Sequence, residues 1–270
     1  MLTDLSKKIS YALSFEPDWL PIQMSMGLIR KIHDFQQQEP DKHLLVVTAE
    51  PGCGITTALR QHQKSEFART IWLSARLTQD NATLYDRLAR DLGVYDICGR
   101  LNYLAPYLCR LIKLRSIKVI FIDDIHEFML DRSSANAVID MISELSSKCP
   151  GVKCVATLKS TYNRLAIMLL KNIAGDAFHF EGMDSEDGKF FAREALRQLN
   201  SENNTVITFE SDLQNWKPMA PNVGELVSWI KLAYAVAWIS KAQIIKSSLN
   251  ISSLDLWRIL DEHSNSEAAT

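Results

Sequence analysis

No stretch of this sequence approaches the roughly 20 consecutive apolar residues that a membrane-spanning helix needs. Residues 1–20 carry Asp4, Lys7, Lys8, Glu16 and Asp18, too many charges for a secretory signal. Cysteine is sparse. Cys53, Cys98, Cys109, Cys149 and Cys154 form no CxxC pair and have no histidine cluster beside them. An odd, scattered set excludes a disulfide framework and a zinc site, and fits reduced thiols in the cytoplasm. Charge of one sign is also lacking. Thirty Lys and Arg face 32 Asp and Glu, a net charge of −2. Any contact with nucleic acid therefore has to come from a local basic patch. The 270 residues, 47% hydrophobic and 23% charged, suffice for an α/β domain with a smaller helical one.

One further absence is local. The apolar run Leu44-Leu45-Val46-Val47-Thr48 leads into Ala49-Glu50-Pro51-Gly52-Cys53-Gly54-Ile55-Thr56-Thr57 and then a helical stretch. Strand, glycine-rich loop and helix are the setting in which backbone N–H groups and a helix N-terminus cradle phosphates. In the pattern G-x-x-x-x-G-K-[ST], Ala49 stands at the first glycine and Ile55 at the lysine; Gly54 and Thr56 match. The candidate cofactor-binding residues are Pro51, Gly52, Cys53, Gly54, Ile55, Thr56 and Thr57. The plain alternative is a strand-to-helix turn that needs positive φ at its glycines, with Thr56 and Thr57 as helix caps.

About 65 residues on, Lys118-Val119-Ile120-Phe121-Ile122-Asp123-Asp124-Ile125-His126-Glu127 reads as a buried parallel strand ending in two carboxylates. An Asp at the carboxyl end of such a strand points into the crevice where phosphate and magnesium sit. Thr56 and Asp123 are the candidate metal ligands and Asp124 the candidate catalytic carboxylate. The alternative for Asp123 is an acidic turn after a core strand. His126 reads as a turn residue, and Cys53, with no partner base, as structural.

The spacing predicts helices over 22–38, 56–67, 81–92, 101–114, 134–146, 185–199, 222–240 and 252–260. It predicts strands over 44–48, 70–74, 118–122, 152–158 and 178–180. Residues 15–21 read as an extended arm with aromatic anchors, and residues before it as weakly amphipathic. Strands alternating with helices imply an α/β fold with a parallel sheet. After residue 185 the pattern is helical. The expected division is an N-terminal arm and helix (1–40), an α/β core (41–183), a helical lid (184–262) and a tail (263–270).

This order of parts resembles the AAA+ ATPases, a P-loop NTPase-type parallel sheet flanked by helices with a C-terminal helical lid. Within them the chain resembles the TniB/TnsC group of transposition regulators over roughly residues 15–260. The likeness is carried by Trp19-Leu20-Pro21 ahead of a helix, by Ile122-Asp123-Asp124-Ile125-His126, and by Val155-Ala156-Thr157-Leu158 followed by Thr161-Tyr162-Asn163-Arg164-Leu165. The resemblance implies ATP and Mg2+ as cofactors and a homo-oligomeric ring or filament on double-stranded DNA. It also implies transposase and target-selector proteins as partners in the recombination of a mobile genetic element. It further implies that Arg110, Lys113, Arg115 and Lys118 contact the DNA backbone, with Lys159, Ser160 and Thr161 as a weaker second set.

The chain departs from active members of that family at four places. Ile55 replaces the loop lysine, and charge-assisted contacts of that kind contribute roughly 1.5–3 kcal/mol each. Asp124, one methylene short, stands for the water-orienting glutamate, and a misplacement of about 1 Å costs about 10²-fold in rate. Glu225 in Asn222-Val223-Gly224-Glu225 stands where the lid usually carries Gly-Arg, and residues 172–180 hold no arginine. The expected protein is a scaffold on target DNA with weak or absent ATP hydrolysis. The alternatives are an active DNA-stimulated ATPase, or a helicase-loader or defence-type relative outside transposition.

Overall fold

The computed structural model describes residues 2–39, 42–74, 82–94, 101–159, 164–210 and 222–246. The chain divides into two compact units, Met24–Glu181 and the pair of segments Met1–Gln23 and Gly182–Thr270.

The larger unit is built on a five-stranded parallel sheet, in the order β2-β3-β4-β1-β5. Its strands are β1 (Leu44–Ala49), β2 (Thr70–Ser74), β3 (Val119–Asp123), β4 (Lys153–Lys159) and β5 (Asp176–Phe180). Alternating residues of these apolar runs enter two different cores. Leu45, Val47, Trp72, Val119, Phe121, Val155 and Phe180 pack with α2 (Gln23–Gln36) and α3 (Ile55–Ser65). Leu44, Val46, Ile71, Leu73, Ile120, Ile122, Cys154 and Ala156 pack on the other face. There they meet α4 (Leu84–Asp91), α5 (Pro106–Leu114), α6 (Arg132–Lys148) and α7 (Arg164–Ile173). Strands covered on both faces have no polar alternation, which is why β1 to β4 were legible as apolar runs, whereas the edge strand β5 buries only Phe180.

Element ends follow local chemistry. The helix expected from residue 101 starts at Pro106, which sits in the first turn where its missing N–H costs nothing. Thr83 and Asp86 form a capping box at the start of α4, and Asp131 and Ser134 do so at α6. The ammonium of Lys153, 3% exposed, donates to the carbonyls of Gln38, Glu39 and Lys42 at 3.2, 2.8 and 2.6 Å, tying down the connection from α2 to β1.

The smaller unit contains α1 (Leu2–Ser14), α8 (Ser185–Asn203), the short parallel pair β6 (Thr208–Phe209) and β7 (Ile244–Ile245), and α9 (Val223–Ile239). Its core joins Ile9, Ala12 and Phe15 to Phe191, Ala195, Leu199, Leu226, Ile230 and Tyr234. The N-terminal segment, read as weakly amphipathic, is thus a formed helix, and its Ile9 and Ala12 pack with the C-terminal helices. Phe15 begins the extended segment as a buried anchor, as its sequence suggested. Asp184 accepts from the Asp187 N–H at 2.7 Å and starts α8. Asn222 accepts from the Glu225 N–H at 2.8 Å and starts α9. Glu225 therefore lies in a first helical turn, where its charge complements the helix dipole. The helix expected over 252–260, the tail 263–270 and the segment Thr161-Tyr162-Asn163 lie outside the described residues.

Candidate functional site

The site lies at the carboxyl end of the sheet, and its first component is the loop between β1 and α3. Gly52 and Gly54 have φ of 82° and 89°, a region costly for residues with a Cβ. Gly54 is the N-cap of α3, and no side chain caps the helix there. The first-turn N–H groups of a helix have no intrahelical acceptor, so this end is chemically suited to a phosphate oxyanion. Pro51, Gly52, Thr56 and Thr57 are exposed, and Gly54 is half-buried. Cys53 is buried under the loop, and that burial pushes its thiol pKa up, which fits a structural residue rather than an activated nucleophile. Ile55 is half-buried and packs against the core beneath α3. The lysine position of the loop is therefore spent on packing.

Asp123 ends β3 and is 4% exposed. The Thr56 hydroxyl lies 3.3 Å from both of its carboxylate oxygens. The two expected metal ligands, 67 positions apart in sequence, are thus in direct contact. A hydroxyl and a carboxylate are hard oxygen donors of the kind Mg2+ takes together with substrate phosphates, so the donor set fits that ion. Among the described residues no group of three or more His, Cys, Asp or Glu could hold a metal unaided.

The sequence reading missed the residues that tie these parts together. β4 lies between β1 and β3, and two polar residues near its end, Thr157 and Lys159, fall on one face of the strand. The buried Thr157 hydroxyl donates to Asp123 Oδ1 at 2.8 Å and accepts from the Asp124 N–H at 2.7 Å. It holds both carboxylate-bearing residues in place. Asp124 adopts a left-handed conformation, φ 52° and ψ 50°, one of the few side chains that tolerates it. Its carboxylate ion-pairs with Lys159 Nζ at 3.7 Å. Asp124 is thus held by a lysine rather than facing open water, a poor setting for a general base. The visible signal in the sequence was Thr157 and Lys159, two residues apart at the end of an apolar strand.

Glu127 lies in the short 3-10 turn Ile125–Phe128 and lines a cleft with Thr83, Tyr85, Arg87 and Asp131. His126 is buried in the same turn. The four residues expected on DNA have different surroundings. Arg110 and Lys113 are exposed on α5. The Arg115 guanidinium donates to the carbonyls of Asp91 and Leu92 at 3.4 and 3.2 Å and caps the end of α4. Lys118 lines a cleft with His33, Arg69, Thr70 and Lys153 at the amino end of the strands. Of the weaker set, Lys159 belongs to the acidic site, and Ser160 and Thr161 lie outside the described residues.

No protein-family profile matches the sequence, and no curated protein does. Solved structures do. The chain is similar to the Orc1 protein of Aeropyrum pernix in complex with DNA, with a TM-score of 0.58 and 15% identity over 87% of this chain and 65% of the other. It is similar to domain III of the replication initiation protein DnaA of Thermotoga maritima, with a TM-score of 0.51 and 12% identity over 90% and 94%. Cdc6p of Pyrobaculum aerophilum gives a TM-score of 0.52 and 13% identity over 86% and 66%. The chain therefore spans about two thirds of the Orc1 and Cdc6p chains and nearly the whole of the DnaA domain. Among the described residues no helix is long and apolar enough to cross a membrane. The five-stranded parallel sheet flanked by helices, in the order that places β4 between the phosphate-loop strand and the acidic strand, is the fold of the AAA+ ATPases.

Proposed function

We propose that this protein is a nucleotide-responsive scaffold that assembles on double-stranded DNA and hydrolyses ATP weakly or not at all. The observation that carries the reading is the contact between Thr56 and Asp123 beneath a phosphate loop whose lysine position is filled by a packed isoleucine. The hydroxyl and carboxylate suited to a Mg-nucleotide remain together. The loop charge and the free catalytic carboxylate do not. When bound, Mg-ATP would bring the charge that such scaffolds use to order subunit contacts. The α3 amides would take phosphate oxygens, and Thr56 and Asp123 would hold the metal.

Within this class we read the chain as a TniB/TnsC-like regulator, forming a ring or filament that bridges a target selector to a DDE transposase. The support is the resemblance of its ordered motifs. A second reading, a helicase-loader or replication-initiator role, is favoured by the fold neighbours, which include an Orc1 protein solved with DNA. In either role Arg110, Lys113 and Lys118 are the phosphate contacts we favour, because each is exposed.

The test is binding of labelled duplex DNA with and without Mg-ATP, with the products imaged by negative-stain electron microscopy. Rings or filaments on DNA support the scaffold. A monomer indifferent to DNA in both conditions sinks it. Brisk DNA-stimulated hydrolysis, abolished by Asp123→Ala, would replace it with an active ATPase. Capture of a transposase rather than a helicase by the assembled form would separate the two roles.

A further inference from the structure

We propose that Lys159 replaces the missing loop lysine, supplying the positive charge for the distal phosphates of a bound nucleotide from the end of β4. The inference rests on the nucleotide-binding reading of the site.

The register of the sheet carries the argument. Lys159 is paired directly with Ala49, the residue that opens the phosphate loop. Neighbouring parallel strands lie about 4.8 Å apart, within reach of a four-carbon lysine stem. The ammonium is 3.7 Å from Asp124 Oδ1, and Asp124 follows the carboxylate that Thr56 touches. Its side chain is 23% exposed, neither sunk in the core nor loose in solvent. The lysine thus projects from the strand beside the loop toward the acidic pair, while the position that usually bears this charge carries Ile55.

Three other cations of this unit are engaged elsewhere. The Arg60 guanidinium on α3 lies 3.9 Å from the centre of the Trp72 ring and donates to Gln63. Lys31 on α2 pairs with Asp176 at 2.7 Å. Lys153, at the opposite end of β4, holds the connection from α2 to β1.

The partnership with Asp124 also has a consequence. Two adjacent carboxylates beside a triphosphate repel it. A lysine shared between Asp124 and a phosphate oxygen lowers that repulsion and adds a charge-assisted contact. The same sharing keeps Asp124 from acting as a free base. Binding would be retained while turnover is lost.

The experiment is a fluorescence titration with a labelled ATP analogue and, as control, labelled adenosine, on the full chain and on Lys159→Met, Lys159→Arg and the double variant Lys159→Met with Ile55→Lys. Loss of one charge-assisted contact predicts that Lys159→Met weakens triphosphate binding about 10- to 100-fold. Adenosine affinity should be unchanged, Lys159→Arg should retain most binding, and Ile55→Lys should restore it in the Lys159→Met background. Unchanged or tighter triphosphate binding in Lys159→Met overturns the proposal, because the lysine then serves only to neutralise Asp124. Equal loss of triphosphate and adenosine also overturns it, marking a structural role. A native chain that binds no triphosphate overturns it as well. In that case DNA assembly, measured on the same samples, decides whether the scaffold reading survives without nucleotide.

Discussion

Replacing Thr157 by Val tests the hydrogen-bond arrangement that positions both acidic residues. Thr157 is 2% exposed, and its hydroxyl serves two partners, the Asp124 N–H at 2.7 Å and Asp123 Oδ1 at 2.8 Å. Valine keeps the shape, so no cavity opens. The change removes the acceptor of a buried backbone N–H, at about 1–3 kcal/mol, and a donor to a carboxylate, at about 1.5–3 kcal/mol. The two bonds share one hydroxyl and are not independent, so the expected loss is about 3 kcal/mol. Thr157→Ser is the control. It keeps the hydroxyl and deletes one methyl, at about 0.8 kcal/mol. In urea unfolding followed by circular dichroism, with a slope of about 2 kcal/mol per molar, Val should lower the midpoint by about 1.5 M and Ser by under about 0.5 M. Hydrogen exchange at the Asp124 amide should accelerate in Val alone. If Val and Ser unfold within about 0.5 kcal/mol of each other, the hydroxyl does not anchor the acidic pair.

Three other outcomes are expected. Gly54→Ala places a Cβ at φ 89° and should cost roughly 1–2 kcal/mol, with Gly54→Asn milder because Asn tolerates this region; equal costs in thermal melts would mean that backbone conformation is not what selects glycine here. At Gly175 an added Cβ would meet Cα and Cβ of Lys42 at 2.8 Å each, so Gly175→Ala should shift the start of β5 and destabilise by about 1–3 kcal/mol in urea, and a neutral result would refute that close approach. Burial lowers the pKa of His62, which lies edge-on to Phe121 with ring centres 5.8 Å apart. The folded protein therefore resists a proton that the unfolded chain accepts below its ordinary value of about 6.5, so stability should fall as pH drops from about 6.5. His62→Leu should flatten that slope in melts between about pH 7.5 and 5.5, and an unchanged slope would assign it to other groups.

Much of the fold could be read from residue order alone. Apolar runs marked β1 to β4, because a strand covered on both faces has no polar side to hide, whereas the edge strand β5, with only Phe180 buried, was read over its last three residues alone. The loop glycines marked a turn of positive φ, and paired acids at the end of an apolar run marked the carboxyl edge of β3. Even the loss of the loop lysine could be read directly from one position. Boundaries were less legible where a local device intervened, as at Pro106. Residues 2–14 looked weakly patterned, and Ile9 and Ala12 find apolar partners in a cluster with residues from 191 onward.

What stands between the glycine-rich loop and the acidic strand came from long-range packing. Strand order is set by which apolar faces pack and which crossovers close, and no local pattern encodes it. Once β4 lies between β1 and β3, Thr157 becomes the bridge to Asp123 and the Asp124 backbone, and Lys159 becomes the neighbour of Ala49. The same applies to charge. Arg115 and Lys153 are basic residues by sequence, but the one closes a helix end and the other a loop, because carbonyls distant in the chain converge on them. Composition fixed how many charges the chain carries, and packing determined which of them remain available to a ligand.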